Sequence, residues 1–284
     1  MGLVLRPLFI YNEKRKLFYR EKHKMKTAVV TGGSSGIGLR TAEMLRDAGY
    51  KVFELSRREH KNTGIKHIGA DVTDTNALAE AFAEIIKCSG TVDLVVCCAG
   101  MGVSGAVEFL SDEETRRQFD VNFFGTVNTV RAVLPYMRRA RSGKIICISS
   151  VAAVYSIPFQ AYYSASKAAV NLFVDALTNE VRPFGIEVAS VMPGDIKTGF
   201  TAARRKTVEG DTEYGGRISK AVSAMEKDET NGMSPDSIAR FVLKLAEKKH
   251  LAPLYTVGAQ YKALVALSRV FTHRTAVKIV GKLY

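Results

Sequence analysis

Tyr163 and Lys167 stand four residues apart, and Ser150 precedes the tyrosine by thirteen. A free phenol ionises near pH ~10, and an ammonium beside it favours the charged form. If the stretch is helical, a spacing of four places both side chains on one face, one turn apart. Tyr163 could then exchange a proton with a substrate oxygen near neutral pH, while the Ser150 hydroxyl holds that oxygen. The same spacing also occurs on ordinary solvated helix faces, so the pair acquires meaning only from the elements that position it.

Those elements begin upstream. Lys26-Thr27-Ala28-Val29-Val30-Thr31 reads as a short buried strand, Gly32-Gly33-Ser34-Ser35-Gly36-Ile37-Gly38 follows, and a helical pattern runs from Leu39 to Ala48. A strand, a glycine-rich turn and a helix N-terminus together form an anion site from backbone N–H groups and the helix dipole. Gly32 permits the tight turn, Gly36 lets the main chain approach a pyrophosphate, and Gly38 lets the helix pack closely on the strand. The spacing is G-x-x-x-G-x-G rather than G-x-G-x-x-G, and a glycine loop can also merely turn the chain.

Strands and helices then alternate. Strands are expected at Ala28–Thr31, Lys51–Leu55, Lys66–Gly69, Leu94–Cys98, Lys144–Ser149, Glu187–Met192 and Leu254–Val257. Helices are expected near 36–48, 75–88, 112–140, 160–183, 234–249 and 259–271. This alternation predicts an α/β fold, a single Rossmann-type doubly wound parallel sheet of about seven strands with helices on both faces. Ligands then bind beyond the carboxyl ends of the strands, where Ser149-Ser150, Cys98-Ala99-Gly100 and Met192-Pro193-Gly194 fall.

Composition narrows the function classes. The chain has 284 residues, enough for one α/β domain with a full core. Its formal charge of +13 is concentrated at the ends: residues 1–24 carry +5, residues 248–284 carry +7, and the stretch between is nearly neutral. A neutral fold with basic ends lacks the basic stripe of a nucleic-acid reader and suits peripheral contact with an anionic membrane surface, or simple solubility. Residues 1–24 read as an extension outside the fold, either preceding a start at Met25 or forming a short basic amphipathic anchor. Residues 25–258 read as the domain, with a substrate lid at about 199–233, and 259–284 as an amphipathic basic tail. Cys88, Cys97, Cys98 and Cys147 show neither a disulfide framework nor metal-ligand spacing; reduced thiols in a cytoplasmic protein are the expected reading.

Taken together, Thr31-Gly32-x-x-x-Gly36-Ile37-Gly38, Asp71, Ala99-Gly100, Asn122, Ser150, Tyr163-x-x-x-Lys167 and Pro193-Gly194 with Thr198 resemble the classical short-chain dehydrogenase/reductase family. The resemblance runs from about Lys26 to Thr198. It implies a catalytic group of Asn122, Ser150, Tyr163 and Lys167. Tyr163 is then the general acid/base. Lys167 lowers its pKa and holds the nicotinamide ribose, Ser150 orients the substrate oxygen, and Asn122 supports a proton-relay water. Gly32, Ser34, Ser35, Gly36, Ile37 and Gly38 would cradle the cofactor, Asp71 and Val72 flank its adenine, and Ala99, Gly100, Pro193, Gly194 and Thr198 complete its bed. Where the family usually has Asn-Asn-Ala-Gly, this chain has Cys97-Cys98-Ala99-Gly100, and Cys98 cannot make the hydrogen bonds of an asparagine that braces the sheet.

The second strand ends in Glu54-Leu55-Ser56-Arg57-Arg58. An NAD(H) site usually has an acid at this tip, but Glu54 lies too early, and Ser56 and Arg57 occupy the tip. A guanidinium's paired donors suit a 2′-phosphate, which favours NADP(H) over NAD(H). Asp71 is alternatively a turn or capping aspartate, with Thr73 and Asp74 as rival caps. Met101, Val103, Ser104, Val154, Tyr155, Pro158, Phe159 and Tyr162, with Phe200, Tyr214, Met225 and Met233 of the lid, are expected to wall a pocket for an apolar carbonyl or alcohol. A steroid, retinoid or lipid-like ketone fits that wall, although each residue could equally be core or interface. The Pro193–Phe200 stretch and the tail resemble the branch with 17β-hydroxysteroid dehydrogenases, retinol dehydrogenases and acyl-dihydroxyacetone-phosphate reductases. By the same resemblance the enzyme is a homodimer or homotetramer. Two alternatives remain open: a lipid reductase of the acyl-dihydroxyacetone-phosphate type at a membrane surface, and a catalytically silent dinucleotide-binding sensor.

Overall fold

The computed structural model describes residues 25–59, 64–268, 270 and 272–283; the N-terminal extension expected at 1–24 lies outside them. Strands β1 (Thr27–Thr31), β2 (Lys51–Ser56), β3 (Ile65–Gly69), β4 (Leu94–Cys97), β5 (Gly143–Ile148), β6 (Ile186–Met192) and β7 (Leu254–Thr256) form one parallel sheet. Their order is β3-β2-β1-β4-β5-β6-β7, the doubly wound arrangement, with its switch point between β1 and β4. Helices α1 (Gly36–Asp47), α2 (Thr75–Ser89), α3 (Asp112–Phe119), α4 (Gly125–Ala140), α5 (Ala161–Val181), α6 (Arg217–Thr230), α7 (Pro235–Glu247), α8 (Ala259–Leu267) and α9 (His273–Leu283) complete the chain.

Every residue of β1 and β4 is buried, which explains their unbroken apolar runs. One core lies under α2, α4 and α5, around Phe53, Phe82, Ile85, Met137 and Val174. The other lies under α1 and α7, around Val30, Leu45, Ile146, Val191 and Ile238. Burying each such side chain contributes roughly 1.5–3 kcal/mol.

All seven expected strands form. The helix expected over 112–140 is divided by a π-turn at Asp120–Phe124. The wider turn carries the buried Asn122 inward, where Met101 N–H donates to its Oδ1 at 2.8 Å and its Nδ2 donates to the Met101 carbonyl at 3.0 Å. Hydrophobic periodicity is blind to a one-residue insertion of this kind.

The segment expected to be an irregular lid is instead folded. Arg205–Lys206 pairs with Val103–Ser104 as a short parallel ladder. The Asp211 carboxylate caps the start of α6 by accepting from Ile218 N–H at 2.9 Å and Ser219 N–H at 3.1 Å. Ile218, Ala221, Val222 and Met225 pack with Phe109, Ile157, Phe159 and Tyr214 into a small separate core. The tail helix α8 packs on the domain: the Tyr261 hydroxyl donates to Asp195 Oδ2 at 2.7 Å, and Tyr155 donates to the Leu264 carbonyl at 2.6 Å. No helix among the described residues is long and apolar enough to cross a membrane.

The joint between the glycine loop and α1 is made of close-packed backbone. A Cβ on Gly38 would lie 2.3 Å from the Gly32 carbonyl oxygen, which is backbone and cannot swing aside. A Gly38→Ala protein is therefore expected to lose about 1–3 kcal/mol of stability in chemical denaturation; an unchanged unfolding midpoint would show that the joint has slack.

Candidate active site

One cleft of about 600 Å³ opens along the carboxyl ends of β1, β2, β4, β5 and β6. Gly32, Ser34, Ser35, Gly36, Ile37 and Gly38 line one end of it, with Ser56, Arg57, Asp71 and Val72 beside them. Ala99, Gly100, Ser150, Tyr163, Lys167, Pro193, Gly194 and Thr198 line the remainder. The sequence thus brought together every cofactor-binding candidate and three of the four catalytic ones. Asn122 is the exception: it is fully buried behind the wall and holds Met101, and its Nδ2 also donates to Ser166 Oγ at 3.1 Å.

The glycine loop has the properties of an anion seat. Gly32 and Gly36 take φ values of +67° and +54°, which side chains resist. Ser35 occupies the N-cap position of α1, but its side chain makes no capping bond. By contrast, Asp74 accepts from Asn76 and Ala77 N–H at 2.9 and 3.0 Å, capping α2, while Ser111 and Ser234 cap α3 and α7. The first N–H groups of α1 are therefore left for a ligand. Thr198 faces Gly36 across the cleft; a Cβ there would stand 3.5 Å from that threonine's side chain.

The strand tip is basic. Glu54 is only 3% exposed, with Oε1 in contact with His67 Nδ1, and is packed under Gly33, where an added Cβ would meet Glu54 Cβ at 2.7 Å. It is therefore withdrawn from the cleft, as its position in the strand implied. Arg57 stands at the rim with its Nε 3.9 Å from Asp71 Oδ2. Asp71 is a turn aspartate, accepting from Thr73 N–H at 3.0 Å and Thr73 Oγ1 at 2.8 Å; Asp74, not Asp71, is the cap. An uncapped helix terminus and two left-handed glycines fit the pyrophosphate of a nicotinamide dinucleotide.

The cysteine departure from the family pattern is compensated. Thr31 Oγ1 accepts from the N–H groups of Cys98 and Ala99 at 3.2 and 3.4 Å, bracing the strand end. Burial pushes the Cys98 thiol up to about 12, so it stays neutral.

Helix α5 sets Tyr163 and Lys167 one turn apart, with the ammonium 5.8 Å from the phenol ring centre. Lys167 Nζ donates to the Ile148 carbonyl at 2.9 Å, and burial pulls its pKa down to about 8 against the opposing Cys98 and Cys147 thiols. Ser150 Oγ accepts from Ala152 N–H at 3.1 Å, which fixes the turn after β5. Although part of the Tyr163 ring faces the cleft, the protein packed around it pushes its pKa up to about 12; a hydrogen bond from Ser150 and the charge of Arg204 oppose that rise. The expectation that Lys167 acidifies Tyr163 is thus not met in this structure: desolvation outweighs it, and the opposing cation is Arg204.

The substrate end differs most from expectation. Met101 and Phe200 reach the cleft, but Phe159 and Tyr214 pack against each other at 5.7 Å inside the lid core, and Met225 and Val103 are buried. Ile157, Gln160, Asp195, Arg205 and Glu229 line the cleft in their place. Asp195 was foreshadowed by its position directly after Pro193-Gly194. Glu229 carried no sequence signal, since the fold of α6 brings it in, while Gln160 enters as the N-cap residue of α5.

The sequence was compared with known proteins. The family model described as short chain dehydrogenase matches residues 26–209. A 3-ketodihydrosphingosine reductase from Bacteroides thetaiotaomicron is 41% identical over 244 residues, covering 85% of this chain and 91% of the relative. A short-chain dehydrogenase structure from Streptomyces avermitilis superposes with a TM-score of 0.79 at 27% identity, covering 92% of this chain and 98% of that one. An alcohol dehydrogenase from Thermococcus sibiricus, solved with 5-hydroxy-NADP, superposes with a TM-score of 0.67 at 25% identity, covering 84% and 97%. With its cleft, its glycine loop and its parallel sheet, this chain belongs to the short-chain dehydrogenase/reductase family of oxidoreductases.

Proposed function

We propose that the protein is an NADP(H)-dependent reductase that interconverts a ketone and a secondary alcohol on a lipid-like substrate. One observation carries this reading: a single cleft runs from Arg57, past the uncapped start of α1, to Ser150 and Tyr163. Bound NADPH supplies the hydride for the carbonyl carbon. The backbone N–H groups of α1 and Thr198 would hold its pyrophosphate, and Lys167 its ribose hydroxyls. Ser150 donates a hydrogen bond to the substrate oxygen and fixes its place beside the phenol. Tyr163 gives its proton to that oxygen as charge develops there. Because burial raises the Tyr163 pKa to about 12, the phenol stays protonated through the neutral range. Reduction therefore has its acid in place, whereas alcohol oxidation needs the phenolate and rises with pH. Asn122 shapes the wall through Met101 rather than by touching substrate.

Among lipid-like, steroid and retinoid ketones, the lipid is favoured. Phe159 and Tyr214, two of the aromatic residues expected in the wall, are spent in the small core beneath α6. What lines the cleft beyond Tyr163 is apolar (Met101, Ile157, Phe200) and polar (Gln160, Arg205, Glu229) together. A chain with a polar head next to the ketone matches that mixture, and the relative named 3-ketodihydrosphingosine reductase supports it.

Three measurements test these steps. Tyr163→Phe is expected to melt like the wild type and to quench NADPH fluorescence equally, but to lose about 10²–10⁴-fold in turnover; retained turnover would refute the proton path. Arg57→Leu is expected to weaken NADPH binding about 10- to 100-fold while leaving NADH binding nearly unchanged, since one charge-assisted contact is worth roughly 1.5–3 kcal/mol. Equal loss for both cofactors would remove Arg57 from phosphate recognition. In a panel read by NADPH absorbance, long-chain keto-lipids with polar heads should exceed steroid and retinoid ketones in kcat/KM, and the reverse ranking would move the substrate class.

A further inference from the structure

We propose that Arg204 is a positioning residue for proton transfer, bringing from the 199–233 segment, through its stack on Phe200, a positive charge into the surroundings of Tyr163. The proposal rests on the reading of Tyr163 as the proton donor.

Arg204 belongs to the run Arg204-Arg205-Lys206, which reads as a solvated basic patch. Its side chain is nevertheless only 1% exposed. Nη2 is ion-paired with Glu229, whereas Nε and Nη1 have no hydrogen-bond partner among the described residues. A buried cation with unspent donors is costly, and an apolar side chain of similar volume would often pack there at no loss of stability. Stability is therefore a weak reason for an arginine at this place.

Its surroundings lead to the tyrosine. The guanidinium carbon sits 5.6 Å from the centre of the Phe200 ring, and that ring lies 5.9 Å from the Tyr163 ring. Phe200 and Arg204, four residues apart, thus bring a ring and a cation to Tyr163 as one unit. The seat is cut to receive them: a Cβ on Gly102 would lie 3.0 Å from Phe200 Cζ and 3.3 Å from Arg204 Nε. The segment is pinned there by Arg205 N–H donating to the Gly102 carbonyl at 3.0 Å, and within it Thr201 Oγ1 donates to Glu229 Oε2 at 2.6 Å.

The charged and polar groups around Tyr163 divide by sign. The Ser150 hydroxyl and Arg204 favour the phenolate, while Glu229 of α6 and Asp195 at the end of β6 disfavour it. Lys167, on the tyrosine's own helix, is directed to the Ile148 carbonyl and loses much of its charge to burial. Arg204 and Glu229 reach Tyr163 from the same segment as an ion pair, the cation favouring the phenolate and the carboxylate disfavouring it.

The test is the pH profile of alcohol oxidation, whose acidic limb reports formation of the phenolate. Removing the cation raises the Tyr163 pKa, so Arg204→Gln is expected to move this limb up by about one pH unit, a roughly tenfold loss at fixed pH on the limb. Arg204→Lys should restore most of the shift. Glu229→Gln, which removes a negative charge, should move the limb down; this opposite sign also decides the matter if Arg204→Gln fails to fold. NADPH fluorescence titration should give the same affinity for all three variants. Ultraviolet titration of each protein against its Tyr163→Phe counterpart reads the same displacement without turnover. If wild type turns over no ketone or alcohol, the proposed reaction fails, and the titration still judges Arg204. If all limbs and titrations coincide with wild type while the variants lose only lid stability, Arg204 is a latch and the inference is wrong.

Discussion

Two groups that would carry charge in water share one desolvated corner of this enzyme, and burial drives both toward neutrality. The Tyr163 phenol is pushed up to about 12 and the Lys167 ammonium down to about 8. The adjacent Cys98 thiol is likewise held neutral. Desolvation, not mutual attraction between tyrosine and lysine, sets the resting state of the site. Catalysis in such a corner depends on which charges are brought in and when.

The scaffold makes that corner by crowding backbone rather than by adding charge. The end of β5 supplies the Ile148 carbonyl to Lys167 and the Ser150 hydroxyl to the cleft. One turn of α5 supplies the two titrating side chains, and Ser149 Oγ donates to the Lys167 carbonyl at 3.0 Å, fastening helix to strand. From behind, the π-turn lets Asn122 bond Met101 and Ser166 together, so the loop after β4 and α5 share one polar anchor. Each of these bonds has a modest net worth of roughly 0.5–1.5 kcal/mol, yet leaving any of these buried groups unpaired would cost more. That asymmetry keeps the corner rigid.

Much of this was legible in the sequence because it is local. Strand runs, the glycine loop and the Tyr163–Lys167 spacing each fit within a few residues, and the parallel sheet follows from their alternation. What was not legible is set by contacts between distant segments. Arg204, Arg205 and Lys206 are chemically alike in sequence, yet the ladder with Val103–Ser104 and the ion pair with Glu229 bury the first and expose the other two. Phe159, Tyr214 and Met225 have the composition of a substrate wall and became a core, because the lid must bury an apolar face of its own to fold. The π-turn left no trace in periodicity. The sign of the Tyr163 shift was misjudged because charge spacing can be read from sequence and desolvation cannot.

Glu54 and Thr198 show how the two ends of the cleft are tied to this corner. A carboxylate buried beneath Gly33 supports the glycine loop from below and leaves the rim just past the end of β2 to Arg57. At the other end of the loop, Thr198 faces Gly36, and its Oγ1 also accepts from Phe200 N–H at 3.2 Å. The residue opposite the anion seat therefore begins the lid segment that carries Phe200 and Arg204. Thr198 at the glycine loop, Phe200 at the Tyr163 ring and Arg204, paired with Glu229, thus lie along a single short stretch of chain.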